Sequence, residues 1–149
     1  MKLIPRTRGE VHAAMNAMDP QMRAQISADW LAQLEKSPLQ DPWVHGFHVL
    51  NAAGAVVGLA GFKGPPVDGM VEIAYAIVPE HQGRGHATAA ARALSSYAFE
   101  SGEVRTVRAH TVPDGIASQR VLAKAGFLEV GEMVDPDDGR VLRFELVGN

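Results

Sequence analysis

The chain has no cysteine among its 149 residues. This removes a disulfide framework, a thiolate zinc site and a cysteine acyl-enzyme together, so any group transfer must use another nucleophile or none. No apolar run approaches the roughly 20 residues of a membrane helix, and the opening "MKLIPRTRGE" lacks the apolar core of a secretory leader. The expectation is a cytoplasmic protein with no membrane partner. Blocks of positive charge are also missing: 14 Lys and Arg are scattered among 17 Asp and Glu, for a formal net charge of −3. Duplex nucleic acid, which is bound through clustered phosphate contacts, is therefore a poor partner. The histidines give no metal set either. His45 and His48 in "WVHGFHV" are three apart on an expected strand, where they point to opposite faces and suit structural or surface roles.

What is present fits one ordinary domain over 1–149, long enough to bury roughly 70% of its unfolded surface. With 46% hydrophobic and 21% charged residues, the composition is that of a globular chain. "GEVHAAMNAM" and "DPQMRAQISADWLAQLEKS" read as two helices, the second capped by Asp19 and carrying Met22, Ile26, Trp30, Leu31 and Leu34 near helical spacing. "WVHGFHVLNAAGAVVGLAGF" reads as a hairpin turning at "NAAG", and "GMVEIAYAIV" as a strand apolar on both faces apart from Glu72. An Ala-rich helix closed by Gly102 follows, then the strand "VRTVRAH". A helix from Asp114 as cap to Gly126, and the strands "FLEVGEM" and "RVLRFELV", complete the chain. Two helices, three strands, helix, strand, helix and two strands imply an α/β (α+β) fold, a mixed sheet with helices on both faces.

The junction "VPEHQGRGHATAAARAL" carries the chemistry. A strand, a glycine-rich turn and a helix present free main-chain N–H groups and the positive end of a helix dipole to one spot, which favours an anion. Gly83 and Gly85 let the chain curl, and Arg84 adds a permanent charge. A P-loop is excluded because no GxxxxGK is present, and a dinucleotide fingerprint fails because Thr88 occupies its third glycine position.

With Gln82, Gly85 and Ala87 matching [Q/R]xxGx[G/A] after Val78 and Pro79, and "AHTVPDGIASQRVLAKAGF" similar to AHTxPxNxxSxRVLxKxGF, the chain resembles the GNAT superfamily of acyl-CoA-dependent N-acyltransferases. The pattern is that of the branch similar to the ribosomal-protein N-terminal acetyltransferases. The resemblance covers Val71 to Phe127. It implies a mostly antiparallel central sheet whose two parallel central strands splay apart, with pantetheine in the gap against the edge Ala76, Ile77 and Val78. The pyrophosphate would be held by Gln82, Gly83, Arg84, Gly85, His86, Ala87 and Thr88. Acetyl-CoA (coenzyme A) is thus the implied cofactor, and a primary amine, either a small molecule or a peptide N-terminus or lysine, the implied acceptor; a homodimer is also expected.

An amine attacks a thioester only as the neutral base, so a base is needed for any lysine-like acceptor. Glu72, a carboxylate desolvated within an apolar strand, is the first candidate and matches the superfamily's glutamate position, with His110 on the adjacent strand as the competitor. Glu72 and Ala76 share a strand face but lie about 13 Å apart along it, so the base would work through water. An N–H at Ala76 is expected to meet the oxyanion. Where many relatives carry a tyrosine acid this chain has Leu122, leaving Ser118 as the substitute and a cofactor contact, and Gly115 replaces the family asparagine. These departures motivate a second reading, a non-catalytic acyl-CoA binding or sensing module. Trp30, Trp43 and Phe47 are candidates either for the acceptor pocket or for the core.

Overall fold

The computed structural model describes residues 1–136 and 138–148. Its elements run β1 (Lys2–Pro5), α1 (Arg8–Asn16), α2 (Pro20–Arg23), α3 (Ala28–Lys36), α4 (Pro42–His45), β2 (Phe47–Leu50), β3 (Val56–Phe62) and β4 (Met70–Ile77). They continue with α5 (His86–Glu100), β5 (Thr106–Thr111), α6 (Ile116–Lys124), β6 (Leu128–Asp135) and β7 (Gly139–Val147). The seven strands form one sheet in the order β1-β2-β3-β4-β5-β7-β6. Every neighbouring pair is antiparallel except β4 with β5, which is the mixed, mostly antiparallel sheet that the resemblance implies.

The main core joins the sheet to α5 and α6. In it, Val71, Ile73 and Ile77 of β4 and Val107 and Ala109 of β5 pack with Ala90, Ala91, Leu94 and Ala98 of α5 and Leu122 of α6. The small alanines let α5 lie close to the sheet, and the fully buried Leu94 fills the space between. Trp43, Phe47, Phe62 and Tyr97 extend this core as a set of tilted and edge-on rings with centroids 4.7–6.4 Å apart. A second cluster of Val11, Leu34 and Val44, flanked by Met15 and Trp30, joins α1, α3 and α4.

Four local expectations change. The short strand β1 is absent from the sequence reading, since four residues offer too little alternation to mark it, yet it pairs with β2 from Lys2↔Leu50 to Pro5↔Phe47. The second expected helix is two. Asp19 caps α2 as anticipated, but α3 restarts where Ser27 accepts a hydrogen bond from Trp30 N, and Met22 of the supposed stripe is left 60% exposed. Trp43 to His45 form the short α4 instead of strand, so His45 and His48 do not share a strand. Asp114 does not cap α6: the capping residue is Gly115, with no side-chain hydrogen bond.

The feature that positions the site is the brevity of the one parallel pairing. β4 and β5 are in register only from Met70↔Thr106 to Glu72↔Arg108. Beyond these, β4 stays bound to β3, and β5 stays bound to β7. The two strand ends therefore diverge, and main-chain groups along the split face a gap instead of a partner strand.

Candidate active site

Past the end of β4, a 3-10 turn (Pro79–His81) brings the chain round to α5. The Gln82 side chain ties the turn back by donating to the Ile77 carbonyl at 2.9 Å. Gly83 and Gly85 then adopt φ of +77° and +84°, a conformation side-chain-bearing residues rarely take. With Gly85 as a capping residue that has no side chain, none of the main-chain N–H groups from Gly83 to Thr88 makes a hydrogen bond among the described residues. A Cβ built on either glycine meets nothing within 4 Å. Six donors at the positive end of a four-turn helix thus open onto free space, an arrangement suited to an oxyanion of diphosphate size.

That space is a cavity of about 470 Å³. Of the residues named from the sequence, Ala76, Ile77, Gln82, Gly83, Gly85, His86, Ala87, Thr88 and Ser118 lie on its wall. Val78 and the exposed Arg84 do not. The wall also includes Tyr75, His81 and Lys124. His81 has a buried Nδ1 without a hydrogen-bond partner and stands 6.3 Å from the ring of His86. Ser118 is exposed rather than buried, and its hydroxyl forms no hydrogen bond with a described residue.

Strand alternation settles which main-chain groups face the split. Lys63 N donates to Glu72 O at 2.8 Å and Val78 N to Val57 O at 2.9 Å, with an unbroken register between them. Ala76, paired with Leu59, therefore points its N–H and C=O at β3. The expected oxyanion donor at Ala76 is thus corrected. Tyr75 and Ile77 are the residues whose main-chain groups turn towards the gap, as Gly69 O does lower down where it accepts from Thr106 N. The edge open to a ligand is Tyr75 to Ile77, not Ala76 to Val78.

Below the split, Glu72 and His110 are brought together. Glu72 Oε2 lies 3.0 Å from His110 Nδ1 and 2.9 Å from Lys63 Nζ. Arg143 Nε donates to His110 Nε2 at 3.1 Å. An arginine only donates, so Nε2 supplies the lone pair and the proton resides on Nδ1, donated to Glu72. Glu72 is thus not the isolated carboxylate that its apolar strand suggests, and both nitrogens of His110 are occupied. Lys63 and Arg143 left no signal in the sequence, because they reach this place only through pairing of β3 with β4 and β7 with β5. A smaller cavity of about 140 Å³ joins Lys63, Glu72, His110, Thr111, Ser118 and Tyr75. The Thr111 hydroxyl there is buried and unpartnered.

Tyr75 is the residue the sequence reading missed. It borders both of these cavities and a third of about 300 Å³ on the other side of β4, lined by Trp30, Val44, Leu59, Ala74 and Ala76. No described residue hydrogen-bonds its hydroxyl, and burial pushes its pKa up to about 12, so it stays a proton donor. Its signal is a tyrosine three residues after Glu72 on a strand otherwise free of polar side chains. Of the three aromatics considered for the acceptor pocket, only Trp30 lines this third cavity; Trp43 and Phe47 belong to the core.

Comparison with known proteins places these features in a family. A 35% identical stretch of 74 residues is shared with the uncharacterized N-acetyltransferase YjdG of Bacillus subtilis (strain 168), covering 49% of this chain and 44% of the relative. The chain thus spans less than half the length of the curated relative it matches. The fold is similar to a spermidine N-acetyltransferase SpeG chimera from Vibrio cholerae and hSSAT, with a TM-score of 0.73, 22% identity, and 99% and 96% of the two chains covered. It is also similar to the aminoglycoside acetyltransferase AAC(6')-Ib in complex with coenzyme A and kanamycin, with a TM-score of 0.70, 20% identity, and coverage of 98% and 94%. The description "Acetyltransferase (GNAT) domain" matches residues 4–128, and with that match, the split parallel pair and the open α5 terminus, the chain belongs to the GNAT acetyltransferase family.

Proposed function

We propose that the protein is an acetyl-CoA-dependent N-acetyltransferase of the cytoplasm that acts as one domain over 1–149 and acetylates a primary amine in a ternary complex. The observation that carries this reading is the row of six main-chain donors from Gly83 to Thr88, unbonded among the described residues, of which all but that of Arg84 belong to residues lining the same cavity as the split edge of β4. The residues present fit coenzyme A: the donors suit its diphosphate, and Tyr75 to Ile77 offer main-chain partners for an extended pantetheine. Acetyl-CoA would supply the acyl group as a thioester, with a thiolate as leaving group.

The chain's own residues divide the remaining work. Lys63 and His110 hold Oε2 of Glu72, leaving Oε1 to accept a proton from an intervening water that deprotonates the incoming amine. His110, held by Arg143 on its far side, positions that carboxylate rather than serving as the base. The main-chain N–H of Tyr75 or Ile77 takes the oxyanion role. Ser118 or Tyr75, both with uncommitted hydroxyls facing the cavity, protonates the departing sulfur. A homodimer belongs to the same proposal, because the edge strand β6 leaves Leu128, Val130 and Val134 more than half exposed. The acceptor is a small amine or a peptide amine; the structural neighbours named for spermidine and aminoglycosides support the small-amine reading.

One observation favours the sensing module instead. Leu122, at the position of the family's tyrosine acid, is only 1% exposed and offers no proton. Titrating released thiol while the protein is mixed with acetyl-CoA and an amine panel separates the two. Turnover on at least one amine is expected, and Glu72→Gln should lower kcat by about 10²-fold, most strongly at low pH, with coenzyme A affinity retained. Tight coenzyme A binding without turnover on any amine would leave the sensor.

A further inference from the structure

The 300 Å³ cavity on the α3 and α4 side of β4 shares Tyr75 and Ala76 with the cavity assigned to the acyl donor. It lies where an acceptor reaching the thioester from the opposite side of β4 would sit. Its wall is mostly apolar, built from Trp30, Val44, Leu59, Phe62 and the small residues Ala74 and Ala76. Its polar side chains apart from Tyr75 are only His45 and Arg6 among the described residues.

His45 is fully committed. Asp41 N donates to its Nδ1 at 3.0 Å, so its proton is on Nε2, which lies 2.8 Å from Ser37 Oγ. Arg6 is the opposite case. Among the described residues its guanidinium makes one hydrogen bond, a long one from Nη1 to the His45 carbonyl at 3.4 Å, and no ion pair. Its Nε is buried with no partner. Glu10, the acid whose charge it feels, is spent on Thr7 N and on His48. A buried guanidinium N–H with no acceptor is costly, and the planar Nε–Nη edge is matched to a carboxylate. Among the described residues, no acidic side chain lines this cavity.

Resting on the acetyltransferase reading above, we propose that Arg6 recognises a carboxylate on the acceptor, so that the substrate is an amine that also carries an acid group, of the apolar α-amino acid class. The cavity volume suits one such molecule, with its side chain against Trp30, Val44 and Leu59 and its amine towards Ala76. A polycationic amine finds no counter-charge there and meets a fixed positive one.

The test compares leucine, methionine and phenylalanine with their carboxamides, and with spermidine and kanamycin, as acceptors for the full chain, with rates expressed per unit of free amine. The expected kcat/KM of each acid is at least tenfold that of its amide. Arg6→Gln should bring that ratio close to one, mainly through KM. Arg6→Lys, which keeps the charge and loses the fork, should fall between. Equal use of acid and amide, preference for spermidine or kanamycin, or a ratio unmoved in both variants would overturn the assignment. A separate readout keeps it distinct from the catalytic reading: N-acetylleucine, and not N-acetylleucinamide, should raise the melting temperature of the wild-type protein with coenzyme A present, and less so in the variants. Absence of turnover together with that selective shift would reject the enzyme and retain the site; absence of both turnover and shift would reject the site.

Discussion

At the scale of single residues, Tyr75 combines three properties that no other side chain of the split shares. It borders all three cavities along β4, its hydroxyl has no hydrogen-bond partner among the described residues, and burial raises its pKa to about 12. A phenol in that state holds its proton throughout the range in which an amine becomes nucleophilic, which suits it to donate to a thiolate. Tyr75→Phe is expected to lower kcat by about 10²-fold with little change in KM for acetyl-CoA; a rate loss confined to Ser118→Ala in steady-state kinetics would assign the donor to Ser118 instead. The raised pKa also has a sign for stability. The tyrosinate is disfavoured in the fold, so the contribution is complete below about pH 10 and is lost as pH rises through about 12.

At the scale of elements, the start of α5 and the middle of β3 use glycine for different reasons. Gly58 sits where a Cβ would run into the Ala76 carbonyl, so it serves close packing of β3 on β4. Gly85 has empty space around it and a φ of +84°, so it serves conformation and access. Gly85→Ala is expected to cost about 1 kcal/mol of stability from the left-handed backbone alone and to weaken coenzyme A, while Gly85→Glu should abolish binding in a calorimetric titration by setting a carboxylate over the six donors. Normal affinity in the glutamate variant would move the diphosphate away from this turn. Both glycines of the turn were legible in the sequence, as was the strand-to-helix junction. The break between α2 and α3 was not, because apolar spacing continues across it and only the Ser27 cap interrupts the helix.

At the scale of the whole molecule, His45 fastens the end of α3 to α4. It closes a chain from the end of α3, through Ser37 Oγ and the Leu34 carbonyl, to Asp41 N at the start of α4. Its backbone carbonyl accepts from Arg6. It is 1% exposed, and burial pushes its pKa below the ordinary histidine value, while Asp41 opposes this only in part. The fold holds the neutral ring, so its contribution is complete above the unfolded pKa of about 6.5 and is lost as pH falls through the lower folded value. In that window, stability should fall by up to about 1.4 kcal/mol per pH unit from this group. Urea denaturation between pH 7.5 and 5 should show the slope in the wild type and a flatter one in His45→Gln; equal slopes would place the acid sensitivity elsewhere.

The sequence by itself determined the element order from β2 onward, the open turn before α5 and the family, because these depend on local periodicity, on glycine conformation and on motifs contained within short segments. It also pointed to Glu72, His110 and Ser118 as neighbours of a common split. Only the tertiary structure decided what each of them touches. Lys63 reaches Glu72 across the β3–β4 hairpin, Arg143 reaches His110 from β7, and Arg6 enters the cavity beside Trp30 and Val44 from a segment with no motif. The phase of the β3–β4 ladder turned Ala76 away from the gap and Tyr75 towards it. Strand register and cross-sheet pairing are long-range properties, fixed by which apolar faces bury together, and no single stretch of residues encodes them.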